Sequence, residues 1–238
     1  MDVSGAQATW ATLSEAIDEI YNKNASQLKF EVLYRAGYNM VLHKHGAMLY
    51  DEVARTVLRH LQFTVQEVSA TPHEQLMQSI ATAWGEHKIT LSMVADILMY
   101  LDRTYIVQHH KVTVYNMSLQ IFRDVIPYHP SVRERLRTIL LDNIASERNG
   151  FLIDRDLMKT VLAMFVDLGI DGVSVYEDDF EKHFLEATKN FYRVESTEFL
   201  SKNSCPGKSV YLTSQTSCRV MPVACIVETD MPSYRGYV

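Results

Sequence analysis

Cysteine is scarce in this sequence, and the few cysteines present are confined to one end. The 238 residues include three, Cys205, Cys218 and Cys225. An odd number argues against a closed set of disulfides, and the two separations match no zinc-binding spacing. We therefore expect reduced thiols rather than a disulfide scaffold or a zinc centre.

The chain also lacks an excess of basic residues and any long hydrophobic run. Lys and Arg total 23 against 29 Asp and Glu, which gives a formal charge of −6. This balance, with no basic cluster, disfavours a nucleic-acid partner. The start, MDVSGAQATW, has neither the basic nor the apolar segment of a signal peptide. No run of about 18 uncharged apolar residues predicts a membrane span. We expect a cytoplasmic and nuclear protein with no membrane or nucleic-acid partner.

Familiar catalytic and cofactor-binding motifs are missing as well. The sequence contains no HExxH, GxSxG, P-loop or GxGxxG pattern. His43 and His45 are two residues apart and diverge on a helix, so they cannot share one metal ion. The acidic pairs 51–52 and 178–179 lie near predicted helix starts, where carboxylates complement the helix dipole. The sequence predicts no catalytic residue, no metal and no cofactor.

What the sequence does contain is a succession of amphipathic segments. Apolar residues make up 47% and charged residues 22%, an ordinary globular composition. Apolar positions recur at helical spacing, and no alternating strand pattern occurs before residue 205. The fold class is therefore predicted to be all-α. The expected helices cover residues 10–21, 28–46, 48–61, 74–84, 90–106, 112–126, 131–150, 155–169 and 176–202.

The chain divides into three predicted parts. Segments 51–58 (DEVARTVL) and 133–140 (RERLRTIL) resemble each other weakly, which favours tandem helical repeats. Residues 205–238 hold half of the six prolines and show no helical period. We predict a first helical repeat at 1–110, a partial second repeat at 111–204 and a disordered tail at 205–238.

The helix predicted at 28–46 carries two apolar stripes, although a surface helix usually needs one. At about 100° per residue, Leu33, Gly37 and Met40 lie on one arc. The aromatic residues Phe30, Tyr34 and Tyr38 lie on another. The aromatic stripe suits either the interior of a bundle or a protein interface, since tyrosine is common at interfaces. The periodicity alone leaves both interpretations open.

Several long blocks resemble the cullin-3 branch of the cullin family. They are FEVLYRAGYNMVLHKHGAMLY, ILMYLDRTYI, IFRDVI, LLDNIASERNG and SVYEDDFEKHFLEATKNFYRVESTEFL, and the resemblance runs from about Trp10 to Asn203. It implies a non-catalytic stalk of five-helix cullin repeats. In this branch such a stalk binds BTB-domain substrate adaptors for a RING-type ubiquitin ligase.

The resemblance also implies which residues meet the adaptor. The family's contact positions fall on the second and fifth helices of the first repeat, at Phe30, Glu31, Tyr34, Tyr38, Tyr100 and Arg103. The aromatic stripe would then face the adaptor, while the other stripe packs inside the repeat.

Three departures from the family pattern qualify the expectation. Lys29 and Val32 replace the serine and glutamate of a helix-capping box. We expect the family's N-terminal extension to be absent or short. The resemblance stops near Asn203, so we expect the second repeat to lack its last helix and no RING subunit to bind. The alternatives are a decoy for adaptors, a non-functional partial gene product, or a helical interaction module unrelated to ubiquitin.

Overall fold

A computed structural model of the chain describes residues 1–202, which consist of helices and short connections without a strand. The predicted all-α class is confirmed. The chain forms two compact units, Met1–Glu134 and a second that begins at Arg135. This division falls later than the predicted repeat boundary at 110/111, because the helix after residue 113 packs on the first unit. The predicted tail, 205–238, lies outside the described residues.

Nine longer helical segments follow one another in residues 1–202, with two 3₁₀ turns, Ala25–Gln27 and His73–Gln75, between them. They are α1 (Val3–Tyr21), α2 (Phe30–Leu42), α3 (Gly46–Ala70), α4 (Leu76–Ile97), α5 (99–109), α6 (Val114–Val125), α7 (Pro130–Arg148), α8 (Arg155–Leu168) and α9 (174–202). Two of these contain a π-helical stretch, at Asp102–Ile106 in α5 and at Glu177–Glu181 in α9. No helix in residues 1–202 is both long and apolar enough to cross a membrane.

The first unit is built around α3. This helix contacts α1, α2 and α4, and its most extensive neighbour is α6. Its buried residues recur every three or four positions, so one face of the helix supplies the centre of the core. The rings of Trp84 on α4 and Phe122 on α6 lie 5.1 Å apart, and both are buried in the core. Fully buried core residues include Leu13, Ile17, Met40, Leu49, Val57, Leu76, Ile80 and Leu91.

Four helix ends in residues 1–202 close through a residue in the left-handed region, and after α5 this residue is His110 (φ 50°). After α1 and α2 this residue is a lysine, Lys23 (φ 63°) and Lys44 (φ 66°), and after α7 it is Gly150 (φ 87°). In each case two backbone N–H groups donate back to the last turn, as in a Schellman motif. The predicted end of α7 at Gly150 is confirmed. The predicted role of Gly46 as the end of the second helix is wrong, because Lys44 takes that role and Gly46 begins α3.

The fourth helix is longer than the sequence pattern indicates. Two helices, 74–84 and 90–106, were predicted, but α4 runs without a break from Leu76 to Ile97, and the break falls at Leu98. The polar residues between the predicted helices include one that is buried, His87, and the first residue of the second predicted helix, Thr90, is buried as well. The His87 ring stacks on Phe122 at 4.8 Å and its Nε2 lies 3.3 Å from the Ser118 carbonyl oxygen. Packing against α6 therefore keeps this polar segment helical.

The second unit has its own core. Its buried residues include Leu136, Ile139, Leu140, Met158, Val161, Leu162, Met164, Phe165, Leu168, Val175 and Phe180. The Arg148 guanidinium lies over the rings of Phe184 and Phe191 at 5.5 and 5.2 Å and covers part of α9. Arg137 reaches the buried Asp179 carboxylate at 3.4 Å. Phe180, in the middle of this core, has no exposed surface.

Candidate functional site

The helix that carries most of the predicted site residues begins without a side-chain cap. Lys29 occupies the N-cap position of α2 with an extended backbone (φ −97°, ψ 99°), and its side chain makes no capping hydrogen bond. By contrast, Asp2, Thr113 and Asp154 each accept a hydrogen bond from a backbone N–H in the first turn of their helices. The helix start next to the predicted adaptor contacts therefore lacks the side-chain cap that these three other helices have.

The inner stripe of α2 packs as the sequence predicts. Leu33, Gly37 and Met40 are all buried. A Cβ atom at Gly37 would lie 3.3 Å from Leu98 Cδ2 and 3.5 Å from the Ile97 carbonyl oxygen. Glycine thus lets α2 lie close against the junction of α4 and α5. This close approach brings the outer stripe of α2 level with the start of α5.

The outer stripe forms an aromatic surface across α2 and α5. The rings of Phe30 and Tyr34 lie 6.0 Å apart, one turn from each other. The ring of Tyr38 packs against Tyr100 of α5 at 4.4 Å, tilted by 47°. Phe30 is 51% exposed, and the three tyrosines are half-buried. We call these four residues the aromatic face.

The two predicted charged residues lie on the same helices. Glu31 is one residue beyond Phe30 on α2 and its Oε1 lies 3.9 Å from Arg35 Nη1. Both side chains are well exposed, 84% and 73%, so this ion pair adds little stability. Arg103 is exposed on the π-helical stretch of α5, three residues after Tyr100. All six predicted residues thus lie on the adjoining helices α2 and α5.

The sequence reasoning missed the contacts that fix α5 beside α2. The Asp102 Oδ1 accepts a hydrogen bond from the Val114 N–H at 2.9 Å. This bond connects the π-helical stretch of α5 to the start of α6. Burial raises the pKa of the Asp102 carboxyl, while that hydrogen bond opposes the rise. On the other side, the Tyr105 ring covers Gly46 at the start of α3. The partners are distant in sequence, so no local pattern indicates them.

Acidic and histidine side chains do not converge on this surface. Among residues 1–202, no group of three or more His, Cys, Asp or Glu side chains could hold a metal ion. The acidic pair Asp51 and Glu52 lies in the second turn of α3, beyond the helix start that was predicted for it. Asp51 lies 3.8 Å from Lys111, and Glu52 lies 2.9 Å from Arg55. The arrangement on α2 and α5 is that of a contact surface with aromatic and charged groups side by side.

Packed helices without a strand in residues 1–202, with an aromatic face on two of them, define an all-α protein of helical-repeat type. The sequence matches the Cullin alpha solenoid domain family over residues 10–215, so the chain belongs to the cullin family. The predicted resemblance and the helical-repeat architecture are therefore confirmed.

The curated relatives narrow the family. The chain is 44% identical over 205 residues to Cullin-3B of Arabidopsis thaliana, which covers 86% of this chain and 28% of the relative. It is 39% identical over 198 residues to Cullin-3 of Dictyostelium discoideum, covering 83% and 26%. It is 37% identical over 195 residues to Cullin-3 of Caenorhabditis elegans, covering 81% and 25%. The chain thus spans about a quarter of the length of these relatives.

Proposed function

We propose that this chain is an adaptor-binding scaffold segment of a cullin-3-type ubiquitin ligase and that it binds BTB-domain proteins. The adaptor would lie on the aromatic face together with Glu31 and Arg103. The observation that carries the proposal is the exposure of Phe30 on a helix whose other stripe is already buried. The segment would hold the adaptor in place and perform no covalent chemistry itself, in the cytoplasm and the nucleus.

The physical character of the surface supports this role. Tyrosine and arginine are enriched among the few residues that carry most of the binding energy in protein interfaces, and phenylalanine is enriched in interfaces generally. The packing of Tyr38 on Tyr100 holds two of the rings in place before binding. A preorganised surface loses less conformational entropy on association. The open carboxylate and guanidinium beside the rings would give orientation through charge complementarity.

The test is a calorimetric titration of the 238-residue chain with a panel of purified BTB domains. We expect Phe30→Ala or Tyr34→Ala to weaken binding by about 2 kcal/mol or more, as for a central aromatic anchor. This corresponds to roughly a thirtyfold rise in Kd.

The matched control is Val32→Ala. Val32 is on the same helix and 55% exposed, but it lies on the opposite side from Phe30. Its replacement should leave affinity within about twofold, and circular dichroism should show unchanged helix content in all three variants. Equal affinity of the Phe30 and Tyr34 variants and the wild type would refute the proposed surface. Absence of binding to every BTB domain tested would refute the proposal that the adaptors are BTB-domain proteins.

A further inference from the structure

The connection between α7 and α8 begins with an asparagine and a glycine, Asn149 and Gly150. Asn149 is the one asparagine in the sequence that a glycine follows. Both residues are exposed, and the two apolar residues after them, Phe151 and Leu152, are 68% and 102% exposed. Water therefore reaches the whole of this short segment.

The surroundings of the two residues leave room for a change in conformation. A Cβ atom at Gly150 would meet no other residue within 4 Å among those that the structure describes. In the same part of the chain, the side-chain amide of Asn149 has no hydrogen-bond partner. Asn143, one and a half turns earlier, is different because its amide donates to the Ile139 carbonyl at 2.8 Å. The Asn149 side chain is thus free to turn towards the backbone that follows it.

An asparagine followed by glycine can react with its own backbone. Hydroxide removes the proton from the Gly150 nitrogen, which then attacks Cγ of Asn149. The new C–N bond closes a five-membered succinimide, and the bond from Cγ to the side-chain nitrogen breaks. That nitrogen takes a proton from water and leaves as ammonia, which restores the hydroxide. A side chain on the second residue would hinder the ring closure, and glycine has none.

Water completes the reaction. It adds to one of the two ring carbonyls, and the ring opens to leave either aspartate or isoaspartate at position 149. In isoaspartate the backbone passes through Cβ and Cγ, so the chain becomes longer by one methylene. The reaction consumes water, releases ammonia and needs no oxidant, reductant or cofactor.

Two backbone hydrogen bonds restrain this reaction in the folded chain. The Gly150 N–H donates to the Glu147 carbonyl at 2.9 Å, and the Phe151 N–H donates to the Ser146 carbonyl at 3.0 Å. Both must open before the Gly150 nitrogen can approach Cγ of Asn149. Helix ends fray more readily than helix centres, so this opening does not require the unit to unfold.

We propose that Asn149 is a site of spontaneous deamidation, through a succinimide with Gly150, and that the change loosens the end of α7. The formal charge of the chain falls from −6 to −7. The new carboxylate lies at the C-terminal end of a helix, where the dipole disfavours a negative charge. In the isoaspartate product the added methylene also separates the donors from the carbonyls that close the last turn. The inference does not depend on the adaptor proposal.

The test begins with incubation of the 238-residue chain in heavy-oxygen water at neutral pH, followed by trypsin digestion in ordinary water. The heavy oxygen marks the carboxylates that formed before digestion. Residues 149–155 (NGFLIDR) form one tryptic peptide, and we expect this peptide to lose its amide and gain a heavy oxygen. An isoaspartyl methyltransferase with labelled S-adenosylmethionine should then methylate it. Raising the pH from 7 to 8 should speed the conversion, because hydroxide starts the reaction.

Two asparagines in the same sample serve as controls. Asn24 is exposed but precedes Ala25, and Asn143 precedes Ile144 inside α7. Both should keep their amides while Asn149 converts. Asn149→Gln should gain no heavy oxygen at this position, since its longer side chain must form a less favourable six-membered ring. Conversion of Asn24 as fast as Asn149 would overturn the proposal. So would an intact amide at Asn149 in the folded chain after the same chain in urea has lost it.

Hydrogen exchange tests the loosening of α7. After ion exchange separates the products, the amides of Gly150 and Phe151 in the isoaspartate form should exchange at least about tenfold faster than in the starting chain. Asn149→Asp carries the new charge on an ordinary backbone and should show a smaller increase. Unchanged exchange in the isoaspartate form would refute the proposed effect on the helix end.

Discussion

At the scale of single residues, close contacts decide which side chains are tolerated, and Gly46 is the clearest case. A Cβ atom there would lie 2.7 Å from two carbons of the Tyr105 ring and 3.1 Å from its Cβ. Since these atoms are near the Tyr105 backbone, α3 and α5 must separate to relieve the clash. We expect Gly46→Ala to lower the free energy of unfolding by about 1–3 kcal/mol, as for other overpacked sites. Urea denaturation of the purified chain measures this change.

The control for Gly46→Ala is another helical glycine. A Cβ at Gly85 in α4 meets nothing within 4 Å. Gly85→Ala should therefore stabilise by up to about 1 kcal/mol through helix propensity. Adding Tyr105→Ala to Gly46→Ala should recover part of the lost stability, as a double-mutant cycle of residues in contact requires. If Gly46→Ala and Gly85→Ala changed the free energy of unfolding in the same direction, the contact with Tyr105 would not be what restricts position 46 to glycine.

His87 gives a second prediction at this scale, for the pH dependence of stability. Its pKa is lowered by burial from 6.5 to about 4, so the unfolded chain binds the proton more tightly than the folded chain. Stability from this group is fully present above pH 6.5 and is lost as the pH falls towards 4. The loss should amount to about 3 kcal/mol by pH 4.

The measurement compares denaturant unfolding of the wild type and His87→Phe at several pH values from 7 to 4. Phenylalanine keeps a ring against Phe122 but cannot titrate, so its stability should fall less steeply over this interval. His73→Gln removes an exposed histidine and should retain the wild-type slope. Parallel curves for the wild type and His87→Phe would contradict the prediction.

At the scale of secondary-structure elements, the start of α2 is the weakest feature of the predicted adaptor surface. Lys29 has the extended backbone of an N-cap residue but offers no acceptor. Lys29→Ser should add a hydrogen bond to the first turn and raise the free energy of unfolding by about 1 kcal/mol. Thr113→Ala, which removes an existing cap from α6, should change stability by a similar amount in the opposite direction. Thermal unfolding of both variants measures these two changes. A Lys29→Ser variant less stable than the wild type would contradict the prediction.

At the scale of the whole molecule, burial is distributed unevenly along the chain. The long helices α3 and α4 each have buried residues in nearly every turn. In α9 the early residues Val175 and Phe180 are buried, whereas Leu185 and Val194 are 57% and 55% exposed. A second repeat without its last helix predicts that four residues stay partly uncovered, namely Phe180, Phe184, Phe191 and Val194. This prediction is wrong for Phe180, which is fully buried. The gap in packing begins after Phe180 and is covered in part by Arg148.

Hydrogen exchange should follow this distribution. We expect the amides of residues 182–202 to exchange at least about tenfold faster than those in the centres of α3 and α4, since local opening there exposes less buried surface. The amides around Phe180 serve as an internal control and should exchange more slowly than those after Leu185. Mass spectrometry of peptic fragments measures both. Equal exchange rates along the whole of α9 would contradict this prediction, because they would show that the helix around Leu185 and Val194 opens no more readily than the helix around Phe180.

The sequence by itself determined the helical class, the two stripes of α2 and the end of α7 at Gly150. These features depend on the period of the α-helix and on the backbone preferences of single residues, which act over one or two turns. The six predicted adaptor contacts could be placed by resemblance to the cullin family, and the structure sets them on two adjoining helices. Their role in binding stays a prediction.

Only the tertiary structure decided the features that depend on residues far apart in the chain. The polar segment around His87 stays helical because α6 packs on it. The start of α3 needs a glycine at position 46 because the Tyr105 ring occupies the space beside it. The meeting of Tyr38 with Tyr100 likewise arises from helices that the chain brings together after long separations. Local periodicity carries no information about such contacts, because their free energy depends on which surfaces meet once the helices have packed.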